Sequence, residues 1–227
     1  MIVIGLSDVH GDAAIIEKMG MVVKQADVVV LAGDITHFGH AAQARRVVDA
    51  VRGSAGCVLA VPGNCDHADV NAWLDSEGIN LHPEARMVGN LGFAGLGGSL
   101  YTPFNTPFEY SEAQAENFLS QASQDLPENL PFVLVSHQPP ADTSCDRLRD
   151  GRHVGCNALR KFINETQPLV CFTGHIHESP GTDTIGDTVI VNPGRPGTGR
   201  YAYAEISGRS VSVEVRSLSE LQSRNAV

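Results

Sequence analysis

Five short apolar runs in this chain share one property: each ends in a side chain able to bind a metal. The runs "MIVIGLSDVH", "ADVVVLAGD", "GCVLAVPGN", "PFVLVSH" and "PLVCFTGHIH" deliver Asp8 and His10, Asp34, Asn64, His137, and finally His175 and His177. Helix-patterned segments separate the first three, at Ala13 to Lys24 and Ala41 to Val51, with a further one at Ala68 to Glu77. Another, near Cys156 to Glu165, separates the last two runs. Strand–helix alternation of this kind builds a parallel sheet with helices on its faces. In such sheets ligands bind outside the carboxyl ends of the strands, so five polar strand ends imply one pocket.

The spacing within each pair has a chemical reason. Residues two apart in extended backbone point to the same side, so Asp8 with His10, and His175 with His177, can converge on one ion. Glycines precede Asp34, Asn64 and His175, where a Cβ would crowd a chain turning beside the pocket. Imidazole, carboxylate and amide oxygen without a required thiolate suit a hard or borderline divalent ion better than a sulfur-held structural zinc. An isolated Asp-x-His or Gly-Asp is common by chance; the ordered conjunction carries the inference.

A different, glycine-rich texture fills Ala85 to Ser99 and returns in "GDTVIVNPG", "RYAYAEI" and "SVSVEVR". These pieces read as antiparallel strands and turns. No repeat, low-complexity tract or linker divides the chain, which reads as a single domain over residues 1–227 with a substantial core. The segment after Leu218 reads as a short helix or a frayed end.

Charge narrows the function classes. With 16 Lys and Arg against 26 Asp and Glu, and a formal charge of −10, the chain is not expected to track nucleic-acid backbones or anionic lipid. No apolar stretch reaches the length of a membrane span, and the first residues lead straight into a strand-like run, so a soluble cytoplasmic protein is expected. Five cysteines, two of them (Cys57 and Cys171) inside strand-like runs, read as reduced thiols.

The blocks "SDVHGD", "LAGDIT", "VPGNCD", "VSHQPP" and "TGHIHE", spanning Ser7 to Glu178, resemble in order the five motifs of the calcineurin-like metallophosphoesterase superfamily. The resemblance implies an α/β fold: a two-sheet mixed β sandwich flanked by helices, in four αββα layers. It also implies two divalent metal ions, manganese first with iron, nickel or zinc as alternatives. Carried over by position, Asp8, His10 and His177 resemble ligands of the first ion, Asn64, His137 and His175 those of the second, and Asp34 the bridge. The implied reaction is hydrolysis of a phosphate ester by a hydroxide bridging the two ions, without a serine or cysteine nucleophile.

His10, Asn64, Cys65 and Asp66 make up the catalytic group this resemblance implies. Cys65 stands where many members carry a histidine that contacts the phosphoryl group and protonates the leaving oxygen; "GNCD" is similar to a subset of small bacterial and archaeal phosphoesterases. Asp66 resembles the acidic residue that orients that histidine, and equally it suits the cap of the following helix. The expected function is a phosphodiesterase acting on a small phosphate-ester substrate. A phosphomonoesterase for phosphoprotein or nucleotide, and a noncatalytic assembly subunit on the same fold, are the alternatives. The natural substrate and oligomeric state are not written in the motifs.

The remaining polar residues carry two readings each. His67 is either a substitute acid or a solvated side chain, and His37 and His40 either edge the pocket or lie on the surface. Arg147, Arg149, Arg152 and His153 suit either phosphate contact or a salt-bridged face. Arg195 and Arg200, on a glycine-rich turn, read as structural, and Trp73 reads as core.

Overall fold

The computed structural model describes residues 1–124, 126–127 and 129–220. Its strands in chain order are β1 Ile2–Leu6, β2 Val28–Ala32, β3 Val58–Val61, β4 Ala85–Val88, β5 Leu91–Leu96, β6 Ser99–Leu100 and β7 Glu109–Tyr110. They continue with β8 Phe132–Ser136, β9 Val170–Phe172, β10 Gly181–Ile185, β11 Thr188–Asn192, β12 Arg200–Ser207 and β13 Ser210–Ser217. The helices are α1 Ala13–Lys18, α2 Gly20–Val23, α3 Ala41–Arg52, α4 Ala68–Ser76, α5 Glu112–Gln124 and α6 Asn157–Thr166. Two large sheets form, in the orders β13-β12-β1-β2-β3 and β10-β11-β9-β8-β5-β4, beside a small β6-β7 pair.

Period-two alternation along the strands sorts their side chains into three apolar layers. Ile4, Leu6, Val29 and Leu31 face outward onto Val47, Val48 and Val51 of α3 and Val70, Trp73 and Leu74 of α4. Their neighbours Val3, Val28 and Val30 face inward and meet Phe93, Val133, Val135 and Phe172 of the other sheet. On the far side, Leu134, Cys171 and Ile190 pack against Leu119 of α5 and Leu159 and Ile163 of α6. Three layers between two sheets and two groups of helices give the αββα sandwich. Trp73 belongs to the first layer, as its sequence setting implied.

Four features differ from the sequence reading. The five ligand-bearing strands do not extend one sheet: β1, β2 and β3 lie in the first and β8 and β9 in the second. The glycine-rich segments are only partly antiparallel, since β5 pairs parallel with β8 and β11 parallel with β9. The segment Ala13 to Lys24 is two short helices meeting at Met19, whose N–H bonds to the carbonyls of Ile15 and Ile16. Helix α5 was not foreseen; its buried stripe is only Ala115, Leu119 and Ala122. Residues 221–227 of the carboxyl-terminal segment lie outside the described residues.

Candidate metal centre

Loops leaving β1, β2, β3, β8 and β9 bring all seven expected ligands to one edge of the sandwich. Asp8, Asp34, Asn64 and His137 are buried, His10 and His175 partly so, and His177 is exposed. Four of these residues sit in the left-handed backbone region, Asp8 at φ 56°, His10 at 51°, Asp34 at 46° and His175 at 65°. Each such residue costs about 1–3 kcal/mol. Hydrogen bonds from Asp8 N to Gly33 O (3.1 Å) and from His10 N to Asp34 O (2.9 Å) hold the first two loops in that shape. Close approach also explains two glycines: a Cβ on Gly63 would overlap Asp34, and one on Gly33 would overlap the His137 ring.

On the inner side the imidazole of His137 meets the Asn64 amide and the Asp34 carboxylate. His137 Nδ1 donates to Ala32 O at 2.9 Å, which leaves Nε2 as the ring nitrogen turned toward the other ligands. That nitrogen lies 2.9 Å from Asn64 Oδ1 and 3.4 Å from Asp34 Oδ1. An imidazole nitrogen, an amide oxygen and a carboxylate oxygen converging in this way form a donor set that one cation can share. On the outer side, His177 Nε2 lies 3.1 Å from Asp8 Oδ1 and 3.3 Å from His10 Nε2, which is 3.7 Å from Asp34 Oδ2. Asp34 thus reaches both sides, and the donor atoms of Asp8, Asp34 and His137 lie within 4.8 Å of one another. The oxygen and nitrogen donors fit divalent cations.

Charge states keep these donors available. Burial would raise the Asp8 carboxyl, but the His177 hydrogen bond, the two imidazoles of His137 and His177 and the Ser7 hydroxyl outweigh it and hold it well below the carboxylate range. Burial lowers His10 against the pull of Asp34 and Asp8. It lowers His175 to about 4, helped by His137. Neutral imidazoles are the form that ligates metals. His177 moves the other way, raised chiefly by its bond to Asp8.

The neighbours of the ligands sort differently from their sequence readings. Cys65 is buried; its N–H donates to Asp34 Oδ1 at 2.9 Å, and its Sγ lies within 4.8 Å of donor atoms of His10 and Asp34. Burial and the Asp34 charge push the thiol well up, which keeps it protonated. Asp66 caps no helix, since His67 holds the N-cap position of α4. Its carboxyl accepts from Ile35 N (3.1 Å), Thr36 N (2.8 Å), Thr36 Oγ1 (2.7 Å) and Gly63 N (2.7 Å). It ties the β2 loop to the β3 loop. Burial and Asp34 raise it to about 6.

His67 stacks on His40 at 4.4 Å between ring centroids, and His40 pairs with Asp69. His37, exposed, packs edge-on against His10 at 5.2 Å. His153 donates to Asp146 at 2.6 Å. Arg152 pairs with Asp150 at 2.8 Å and lines the cleft beside His175 and His177, whereas Arg147 and Arg149 line a separate groove. Arg195 is exposed, and its charge is felt at both His10 and His177.

Several supporting groups escape a sequence reading. Ser7 Oγ donates to Asp8 Oδ2 at 2.6 Å. Asn64 Nδ2 donates to Thr106 Oγ1 at 3.0 Å, and Thr106 donates to Glu109 Oε1 at 2.6 Å. The amide is thereby oriented with its carbonyl toward His137, as groups that hydrogen-bond to ligands orient them in metal sites. Ser7 adjoins a ligand and could have been suspected; Thr106 and Glu109 carry no motif.

Helix–sheet–sheet–helix layering with this donor cluster at the strand ends is the build of a metallophosphoesterase. The chain belongs to the calcineurin-like phosphoesterase superfamily, matching that superfamily's domain over residues 1–209. It is 38% identical over 203 residues to an uncharacterized protein of Methanocaldococcus jannaschii, covering 85% of this chain and 88% of that one. Among solved structures it resembles a dimetal phosphatase from Danio rerio (TM-score 0.58, 14% identity, 96% and 98% of the two chains). It also resembles an archaeal phosphodiesterase (TM-score 0.51, 14% identity, 95% and 100%). At these identities the two structures share the fold. Among the described residues no helix is long and apolar enough to cross a membrane.

Proposed function

We propose that the chain is a metal-dependent phosphoesterase that favours small phosphate diesters. The observation that carries this reading is the meeting of His137 Nε2 with Asn64 Oδ1 at 2.9 Å and Asp34 Oδ1 at 3.4 Å, three donor atoms from three strand ends at one point of the ligand edge. Asp8, His10 and His177 would hold one divalent ion, Asn64, His137 and His175 another, and Asp34 both. Two such ions supply charge neutralisation at phosphoryl oxygens and acidify bound water. Manganese is proposed first, with iron, nickel and zinc as alternatives.

The chain's own residues define the ester. Arg195 adds positive charge beside His10 and His177, which draws a phosphate toward that side. Cys65 walls the site with a protonated, weakly acidic thiol, so it offers little proton to a departing oxygen. Good leaving groups are favoured. The guanidinium of Arg152 is already paired with Asp150, and the chain carries a formal charge of −10. A singly charged diester therefore suits the cleft better than a dianionic monoester, and a small ester better than a polyanion. All five cysteines are free, which supports a reducing, cytoplasmic setting.

A screen of the metal-reconstituted chain on bis(p-nitrophenyl) phosphate and p-nitrophenyl phosphate tests the reading. Turnover with higher kcat/KM on the diester is expected, and Asp34→Asn should lose most bound metal and nearly all turnover while remaining folded. Preference for the monoester would overturn the diester assignment. Metal binding with neither ester hydrolysed would point to a noncatalytic subunit.

A further inference from the structure

A cleft of about 490 Å³ opens beside the metal centre, with Asn64, His175 and His177 on its floor. Its rim is aromatic: Tyr101 and Phe104 line it and are 70% and 80% exposed. Leu148 and Arg152 line it as well. Large apolar rings so exposed, and concentrated at the mouth of a cavity with polar groups on its floor, mark a binding site rather than a packing one.

The rim is held in place relative to the centre. Thr102 Oγ1 donates to Glu109 Oε1 at 2.6 Å, Thr106 N donates to the same oxygen at 2.9 Å, and Phe104 N donates to Thr102 Oγ1 at 3.1 Å. Asn105, between Phe104 and Thr106, is left-handed at φ 50°. Thr106 then grips Asn64 directly, so two hydrogen bonds connect the carboxylate that shapes the rim to an expected metal ligand. A surface set in advance saves the ordering cost of binding.

We propose that Tyr101 and Phe104 form a stacking rim that selects phosphate esters carrying a planar aromatic group, nucleobase or simple aryl. The inference rests on the phosphoesterase reading for the phosphate end of the ligand. The floor takes the anion and the rim takes the ring. A sugar phosphate or alkyl phosphate of similar size fills the floor and leaves the rim unused. Every nucleobase and aryl ring offers a π-face, so the selection is for planarity and not for one base.

Calorimetric titration of the manganese-loaded chain tests this without turnover, using two matched pairs: adenosine 5′-monophosphate against ribose 5-phosphate, and phenyl phosphate against cyclohexyl phosphate. The aromatic member of at least one pair should bind about tenfold tighter, the size expected of one aromatic stack. A Tyr101→Ala/Phe104→Ala double variant should bring that ratio close to one, and Tyr101→Phe should keep it. Preference in both pairs assigns any aryl group; preference in the adenosine pair alone assigns nucleobases. Equal binding within both pairs, or a ratio that survives the double substitution, overturns the rim. A chain that keeps the ratio and hydrolyses nothing overturns the phosphoesterase reading alone. One that hydrolyses nitrophenyl diesters without any such ratio overturns the rim alone.

Discussion

Thr106 Oγ1 accepts the Asn64 amide N–H at 3.0 Å, and that bond decides which way the Asn64 carbonyl faces. Thr106→Val keeps the shape and removes the hydroxyl. We expect metal affinity on the His137 side to fall about 10–100-fold, the usual cost of losing an outer-shell partner. Titration of the metal-free variant should show one weakened and one unchanged site, and Thr106→Ser should recover the affinity. Equal affinity in the valine variant would show that Asn64 needs no anchor.

The rings of His175 and His137 meet edge to face at 5.1 Å, while those of His177 and His10 meet at 5.2 Å. Alternate residues of one loop therefore turn to opposite sides of Asp34, not to the same side as extended backbone would place them, because His175 is left-handed at φ 65°. His175→Ala and His177→Ala should each lower turnover and should empty different sites. Anomalous scattering from metal-loaded crystals distinguishes them; loss of the same ion in both variants would refute the split.

Cys65 neighbours His10 and Asp34 with a thiol held protonated. Cys65→Ala should keep bound metal and most turnover on nitrophenyl diesters. Cys65→His introduces a proton donor, worth about 10²–10⁴ in rate on alkoxide leaving groups when well placed. Both Asp66 oxygens are already engaged by four donors, so the new imidazole lacks an orienting carboxylate. The gain should sit at the low end of that range and vanish with nitrophenolate. A phosphocysteine intermediate in the wild type would disprove this account.

His82 gives the chain an acid-sensitive point outside the set of expected metal ligands. It is buried against Phe108 and Phe118, and its Nδ1 accepts from Gly97 N at 3.1 Å. Burial lowers it from 6.5 to about 4. The unfolded chain takes up this proton below pH 6.5 and the folded one only near pH 4, so stability present above 6.5 is lost as the pH falls through that window. The loss is about 3 kcal/mol. Denaturant midpoints of wild type and His82→Gln, compared between pH 7 and 4, should converge as the pH falls; parallel curves would rule His82 out.

The strand ends were legible because an apolar run closed by a charged or amide residue is a local signal. Which sheet each strand joins was not. Val30 of β2 and Val133 of β8 are both buried in the layer between the sheets, and strands covered on both faces look alike in either sheet. Helix α5 was hidden because two of its three buried positions are alanines, too small to mark a stripe. Met19 splits the first helical segment just before Gly20, the first residue of α2, and a lone glycine inside a helical pattern does not by itself mark a break. Asp66 reads as a cap or an orienting group because its neighbours in sequence suggest both; besides the nearby Gly63, its partners Ile35 and Thr36 lie about thirty residues away.

At the ligand edge, several polar links between the two sheets pass through the centre. His175 N donates to Asp8, His137 donates to Ala32 O, and His177 reaches Asp8 from the opposite sheet. Ions bound there would rivet one sheet to the other, adding about 2.7 kcal/mol to the folded state at a hundred times the dissociation constant. Chelation would then let the sandwich part first along this seam and offer its inner valines to proteases. A cell short of the ion would shorten the lifetime of the protein as well as silence it.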